Sequence, residues 1–171
     1  MSPVNDQDGV LDGEARAVAA LDASGLRYRL VRHGPVRTLQ EAAAARKLTP
    51  SQVVKTLVVR RGEDDYLFVL VPGGRTISWP KLREVLGVSR LSMPDAAVAL
   101  AVTGYERGTI TPFGAAHAWP VVADARVAGR AMSIGAGAHG TSATVDGSRM
   151  VLALGATVAD VTDEEPSEPT A

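Results

Sequence analysis

A mixed α/β fold in a single domain is what this sequence predicts, on three observations. Helical and strand-type periodicities alternate along the chain. Several predicted strands are joined by hairpin-length links. The chain has 171 residues, no internal repeat and no sign of a second domain, enough for one core.

Residues 13–24 place Ala17, Val18, Ala20 and Leu21 at helical spacing, and Gly25 ends that helix. Residues 26–31 alternate apolar and charged side chains, the pattern of a half-buried strand. His33-Gly34-Pro35 turns the chain. Thr38 with Glu41 three residues on predicts a capping box that opens an alanine-rich helix over 42–45, which Thr49-Pro50-Ser51 breaks. The runs 53–59 and 66–71 read as two strands of a hairpin, linked by the polar segment 61–65 and closed by Pro72-Gly73-Gly74. Ser78 is a cap for a helix that carries Pro80 in its first turn and ends near Gly87. A short helix over 94–102 and a Gly/Pro-rich loop over 104–114 follow. Strand patterns return at 119–123, 131–134 and 142–145, Asp146 caps a helix through Leu154, and 156–161 forms a last strand. Residues 1–12 read as a disordered lead, 13–162 as the folded domain, and 163–171 as an acidic disordered tail.

Composition removes several classes of function. Aromatic residues are 4% of the chain, which argues against modules that stack bases on aromatic platforms. There is no cysteine, so a disulfide scaffold, a thiolate metal site and a catalytic thiol are excluded. The start lacks a basic, apolar leader, and no run approaches ~18 apolar residues. The expectation is a cytoplasmic protein with no membrane partner. The net charge of −1 conceals an uneven distribution: residues 27–61 hold nine Lys or Arg against Glu41 alone, a balance of +8. That window suits a polyanionic partner or is a solvated arginine-rich face.

Three histidines, His33, His117 and His139, stand far apart without metal-ligand spacing, so neither a metal nor another cofactor is expected. No G-x-S-x-G elbow occurs. Gly73-Gly74-Arg75-Thr76 lacks the P-loop pattern, and the glycines over 135–140 precede a strand where a dinucleotide fingerprint needs a helix. Lys55 interrupts an otherwise apolar strand; it either snorkels from an edge or points into a cleft to meet an anion. The loop Gly104-Tyr105-Glu106-Arg107-Gly108-Thr109-Ile110-Thr111-Pro112-Phe113-Gly114 is shaped by three glycines and a proline. It reads as a ligand-holding loop with main-chain donors or as a structural Ω-loop.

Taken in order, these segments resemble the YbaK/ProX family, which includes free-standing tRNA-editing proteins and the editing insertion domain of prolyl-tRNA synthetases. His33-Gly34-Pro35-Val36-Arg37-Thr38-Leu39-Gln40-Glu41-Ala42 is similar to the family's H-x-P-V-x-T-x-x-E-A segment. Val53-Val54-Lys55-Thr56-Leu57-Val58-Val59 is similar to its lysine-bearing strand, 104–114 to its glycine loop, and 133–140 to its late glycine turn. The resemblance implies a curved mixed sheet flanked by helices. It also implies a trans-editing hydrolase that removes a wrongly attached small amino acid from the tRNA 3′ end. Lys55 would contact the terminal phosphate or ribose, and Gly104, Gly108, Pro112 and Gly114 would shape the loop that holds the ester. His33, Thr38, Tyr105, Gly137, His139 and Ser142 would line the substrate. The implied partners are aminoacyl-tRNA and a synthetase, not DNA. Many relatives carry Asp where this chain has Ser142, and Arg where it has His139. The Ser142 departure motivates an alternative, a non-catalytic tRNA- or synthetase-binding module on the same fold. Hydrolysis of another small ester or amide is a third reading.

Overall fold

The computed structural model describes residues 6–166, with side chains from Gly13 onward. Among the described residues, five helices and nine strands are interleaved; the interleaving is what the periodicities predict, and two of the strands are not. Helix α1 (Asp6–Ser24) begins well before residue 13. The expected disordered lead is therefore helical from Asp6; no proline interrupts 6–24, and Gly9 and Gly13 lower helix propensity without stopping propagation from an anchored helix. Residues 1–5 and 167–171 lie outside the described ones.

The pairing forms three sheets where the sequence reading expects one. Strands β1 (Tyr28–Arg32), β7 (Thr141–Asp146) and β6 (Ala131–Gly135) make an antiparallel sheet in the order β1-β7-β6. Strands β2 (Val54–Gly62), β3 (Asp65–Pro72), β5 (Val121–Asp124) and β8 (Thr157–Ala159) make a mixed sheet in that order, with β2 on its edge. Strands β4 (Arg75–Ile77) and β9 (Thr162–Glu164) form a two-stranded ribbon. This ribbon corrects the tail: 163–165 are pinned against the segment after β3, and Arg75 donates to Thr162 Oγ1 at 2.7 Å. Two three-residue strands carry too little alternation to be seen in sequence.

Strand β3 is central and buried on both faces, which explains its unbroken apolar run. Its even-numbered residues Tyr66, Phe68 and Leu70 join a core with Met132, Ile134, Ala143 and Val145 from the three-stranded sheet and Leu21 of α1. Its odd-numbered Leu67, Val69 and Val71 join a second core with Leu82 of α3 (Trp79–Leu86) and Val161. Cap residues act as the sequence predicts. Ser78 Oγ accepts from Lys81 N at the start of α3, and Gly87 ends it with φ 66°. Asp146 caps α5 (Gly147–Ala153). At α2 (Leu39–Ala45), Thr38 Oγ1 accepts from Glu41 N, but Glu41 reaches back to Arg37 N, one residue beyond a standard capping box. Helix α4 (Ala96–Thr103) starts at Asp95, whose carboxylate takes Val98 N.

Candidate active site

The outer edge of β2 is paired at its two ends only. Val53 bridges to Ser133, and Arg60 exchanges both main-chain hydrogen bonds with Ser92, at 2.7 and 3.1 Å. Between these bridges the edge opens onto a cavity of about 460 Å³. Main-chain groups alternate sides along a strand, so those of Thr56 and Val58, which share the parity of Arg60, turn toward this cavity. The opposite wall is Met93, Pro94, Ala96 and Ala99 at the start of α4, and the roof is Arg107, Gly108 and Ile110 of the glycine loop. Gly135 and Arg46 complete it.

The wall is mostly aliphatic, but three cations reach it: Arg46, Lys55 and Arg107. No carboxylate lines it. The Lys55 ammonium meets Glu165 at 3.3 Å near the rim, with the two side chains 45% and 47% exposed. Arg46 ends α2, and burial pushes its guanidinium below the ordinary arginine value. Its Nε is buried without a hydrogen-bond partner, as is the Thr56 hydroxyl.

The two glycine motifs are packed on each other. Gly137 N donates to Thr109 O at 3.2 Å. A side chain at Gly135 would press to 3.3 Å from Ile110 O, so glycine there lets the loop close over the end of β6. The neck of the loop is tied by Ala116 N donating to Thr103 O and by Tyr105 Oη donating to Phe113 O, both at 2.8 Å. Arg16 of α1 braces it from outside, donating to Gly104 O at 2.7 Å and lying over the Tyr105 ring.

Of the sequence-predicted residues, Lys55 and Gly108 line the cavity. His139 flanks it: its imidazole lies beside Gly108, and its Nε2 is 3.4 Å from Glu106. The others do not line it. Gly104 is the left-handed C-cap of α4, Tyr105 is 1% exposed, and Gly114 abuts the Arg16 carbonyl. Pro112 accepts from Ala115 N within the loop, Gly137 abuts Gly13, and Thr38 caps α2. His33 N donates to Gly140 O at 2.9 Å, which ties the first motif to the late turn. Ser142 is wholly buried on β7, opposite Val31 and Gly135. Sequence reasoning missed Arg46, Thr56 and the Met93–Ala99 wall. Arg46 was visible only as one charge within the basic window. Among the described residues no group of three or more His, Asp or Glu side chains could hold a metal ion, and no helix is long and apolar enough to cross a membrane.

Residues 33–151 match the sequence model of a family described as the aminoacyl-tRNA editing domain. A proline–tRNA ligase of Thermosipho africanus is 35% identical over 80 residues, 47% of this chain and 14% of the ligase. The proline–tRNA ligase of Desulfitobacterium hafniense is 34% identical over 112 residues, 65% of this chain and 19% of the ligase. The chain thus spans less than a fifth of the length of these curated relatives. Among solved structures, a hypothetical protein superposes with TM-score 0.79 at 27% identity, covering 86% of this chain and 99% of that one. A proposed trans-editing enzyme for prolyl tRNA synthetase superposes with TM-score 0.78 at 24% identity, covering 90% and 98%; at that identity the likeness concerns the fold.

Proposed function

The chain belongs to the aminoacyl-tRNA editing domain family, and from that membership we propose that it hydrolyses the ester joining a wrongly attached small amino acid to the 3′ end of tRNA. The observation that carries this reading is the cavity itself. Its aliphatic wall suits a small apolar side chain, and its three cations without a lining carboxylate suit a phosphodiester. Lys55 holds the terminal phosphate or ribose, giving up an exposed ion pair worth ~0–1 kcal/mol. Main-chain groups along the β2 edge and the 108–110 segment orient the ester.

The chemistry needs no protein nucleophile. Water adds to the ester carbonyl carbon, the bond to the ribose oxygen breaks, and the proton from water ends on that ribose hydroxyl. The amino acid leaves as its carboxylic acid, which ionises. Positioning and stabilisation of the developing oxyanion supply the rate. The ligase relatives act on proline, so proline tRNA carrying a smaller residue heads the list of substrates, and a prolyl-tRNA synthetase is the partner that reuses the freed tRNA.

The test is amino-acid release from a panel of mischarged tRNAs. Hydrolysis of one or more small-residue esters is expected, with Lys55→Ala at least about 10-fold slower. No release across the panel would remove the deacylase reading, and an undiminished Lys55→Ala variant would remove the role of Lys55.

A further inference from the structure

We propose that Arg46 is a second phosphate-binding residue of the cavity, gripping the phosphodiester that links the last two nucleotides of the tRNA. This rests on the editing reading and adds to it a residue outside every motif that carried the resemblance.

Arg46 reaches the cavity from α2, an element separate from β2 and from the glycine loop. It is the helix C-cap, and Lys47 follows in a left-handed conformation with φ 58°, so the chain turns sharply there. Cations are favoured at helix C-termini, which accounts for an arginine at the end of α2. It does not account for a guanidinium whose Nε is shielded from solvent without an acceptor. A buried donor left unmet is costly. Several other partly buried arginines meet acceptors: Arg61 forks onto Asp65, Arg126 reaches Asp124 and Asp160, Arg130 bonds Ser51, and Arg16, whose Nε is likewise buried and makes no hydrogen bond, still donates through its terminal nitrogen to Gly104 O. Arg46 has no carboxylate beside it in the cavity.

The missing acceptor is therefore a group the ligand brings, and it is anionic. The guanidinium fork matches two phosphate oxygens, whereas the Lys55 ammonium acts as a point charge. Lys55 is available at the rim, and Arg46 is the more enclosed of the two. The Thr56 hydroxyl, also buried without a partner in the same wall, is a neutral group suited to the adjoining ribose or ester.

The experiment compares two substrates that share the ester and differ in the phosphate. One is an aminoacylated acceptor minihelix, and the other is the same amino acid esterified to adenosine. Arg46→Gln is expected to lower kcat/KM about 10- to 100-fold on the minihelix, mainly through KM, and less than about 2-fold on the adenosine ester. Arg46→Lys is expected to recover part of the minihelix loss, and thermal melting of both variants confirms that they fold. Equal losses on both substrates would overturn the proposal and place Arg46 at the ester or the amino acid. No loss on either would overturn it outright.

Titration with the dinucleotide CpA gives an answer that needs no turnover. Wild type is expected to bind it, and Arg46→Gln to bind it at least about 10-fold more weakly, with a log-affinity against log-salt slope shallower by about 0.7. Were wild type to bind CpA but hydrolyse nothing, the deacylase reading would fall while the phosphate site stood. Were Arg46→Gln to bind CpA as wild type does, the phosphate site would fall whatever the activity.

Discussion

Glu165 holds the Lys55 ammonium in an ion pair that solvent reaches from both sides. Such a pair screens the cation without stabilising the fold much. Glu165→Gln is therefore expected to lower KM for aminoacyl-tRNA about 2- to 3-fold with kcat and melting temperature nearly unchanged; a higher KM would show that the carboxylate helps to seat substrate. Asp124 is the opposite case, a carboxylate with no exposed surface. Desolvation pushes its pKa up, but hydrogen bonds from Arg126 N, Thr162 Oγ1, Val161 N and the Arg126 side chain outweigh it, and the net shift is downward. A pKa lowered on folding contributes stability that is present above the unfolded value of ~3.9 and is lost as pH falls through the folded value. Asp124→Asn is expected to cost about 2–4 kcal/mol in urea unfolding at pH 7, and to flatten the fall in stability below about pH 4. An unchanged acid limb would assign that fall to other groups. Neither partner set was legible in sequence. Lys55 stood out because charge breaks an apolar run, but Glu165 is 110 residues away along the chain. Arg46 stood out in nothing local, since its distinction is burial without an acceptor.

Elements whose ends are written in local chemistry were the legible ones. Ser78 and Gly87 bound α3, Asp146 opens α5, and short apolar, β-branched runs mark β2 and β3. What escaped was set by distant partners: β4 and β9 pair with each other, and α1 packs on the glycine motifs at Gly13 and Arg16. That packing is close. A side chain at Gly137, where φ is 84°, would lie 2.3 Å from Gly13 O and 3.0 Å from the Tyr105 ring. At Gly129, φ is 92° but nothing lies within 4 Å. Both positions bear the left-handed backbone cost of ~1–2 kcal/mol for a non-glycine residue, and Gly137 alone bears the collision as well. Gly137→Ala is accordingly expected to destabilise by at least about 2 kcal/mol more than Gly129→Ala, read from urea midpoints. Equal losses would mean that α1 yields to the added methyl and does not hold the loop in place.

Over the whole molecule, the basic window read from sequence is redistributed by the fold. Arg32 pairs with Glu14, Arg61 with Asp65 and Lys55 with Glu165, so a local balance of +8 does not survive as one stripe. The cations of the window are shared instead among separate hollows, two of which adjoin along β2. The cavity draws Arg46 and Lys55 from the window and Arg107 from outside it. A second hollow gathers Arg60, Arg61, Arg83 and Arg90 around Glu63, and it continues the same two segments, β2 and the stretch before Met93, that wall the cavity. With a net charge of −1, the molecule has no general pull on nucleic acid, so any phosphate contact must come from such places. Each phosphate neutralised adds about 0.7 to the salt slope for a single strand and about 0.9 for a duplex. A single-stranded CCA end, with two phosphodiesters, that meets only the cavity should therefore show a log-affinity against log-salt slope of about −1.4. A minihelix whose duplex also crosses Arg60, Arg83 and Arg90 should show about −4. Replacing Arg83 and Arg90 together with Gln should bring the minihelix slope back by about 2 while leaving the CCA slope as it was. A minihelix slope equal to that of CCA would confine recognition to the 3′ end and leave the second hollow without a part in binding.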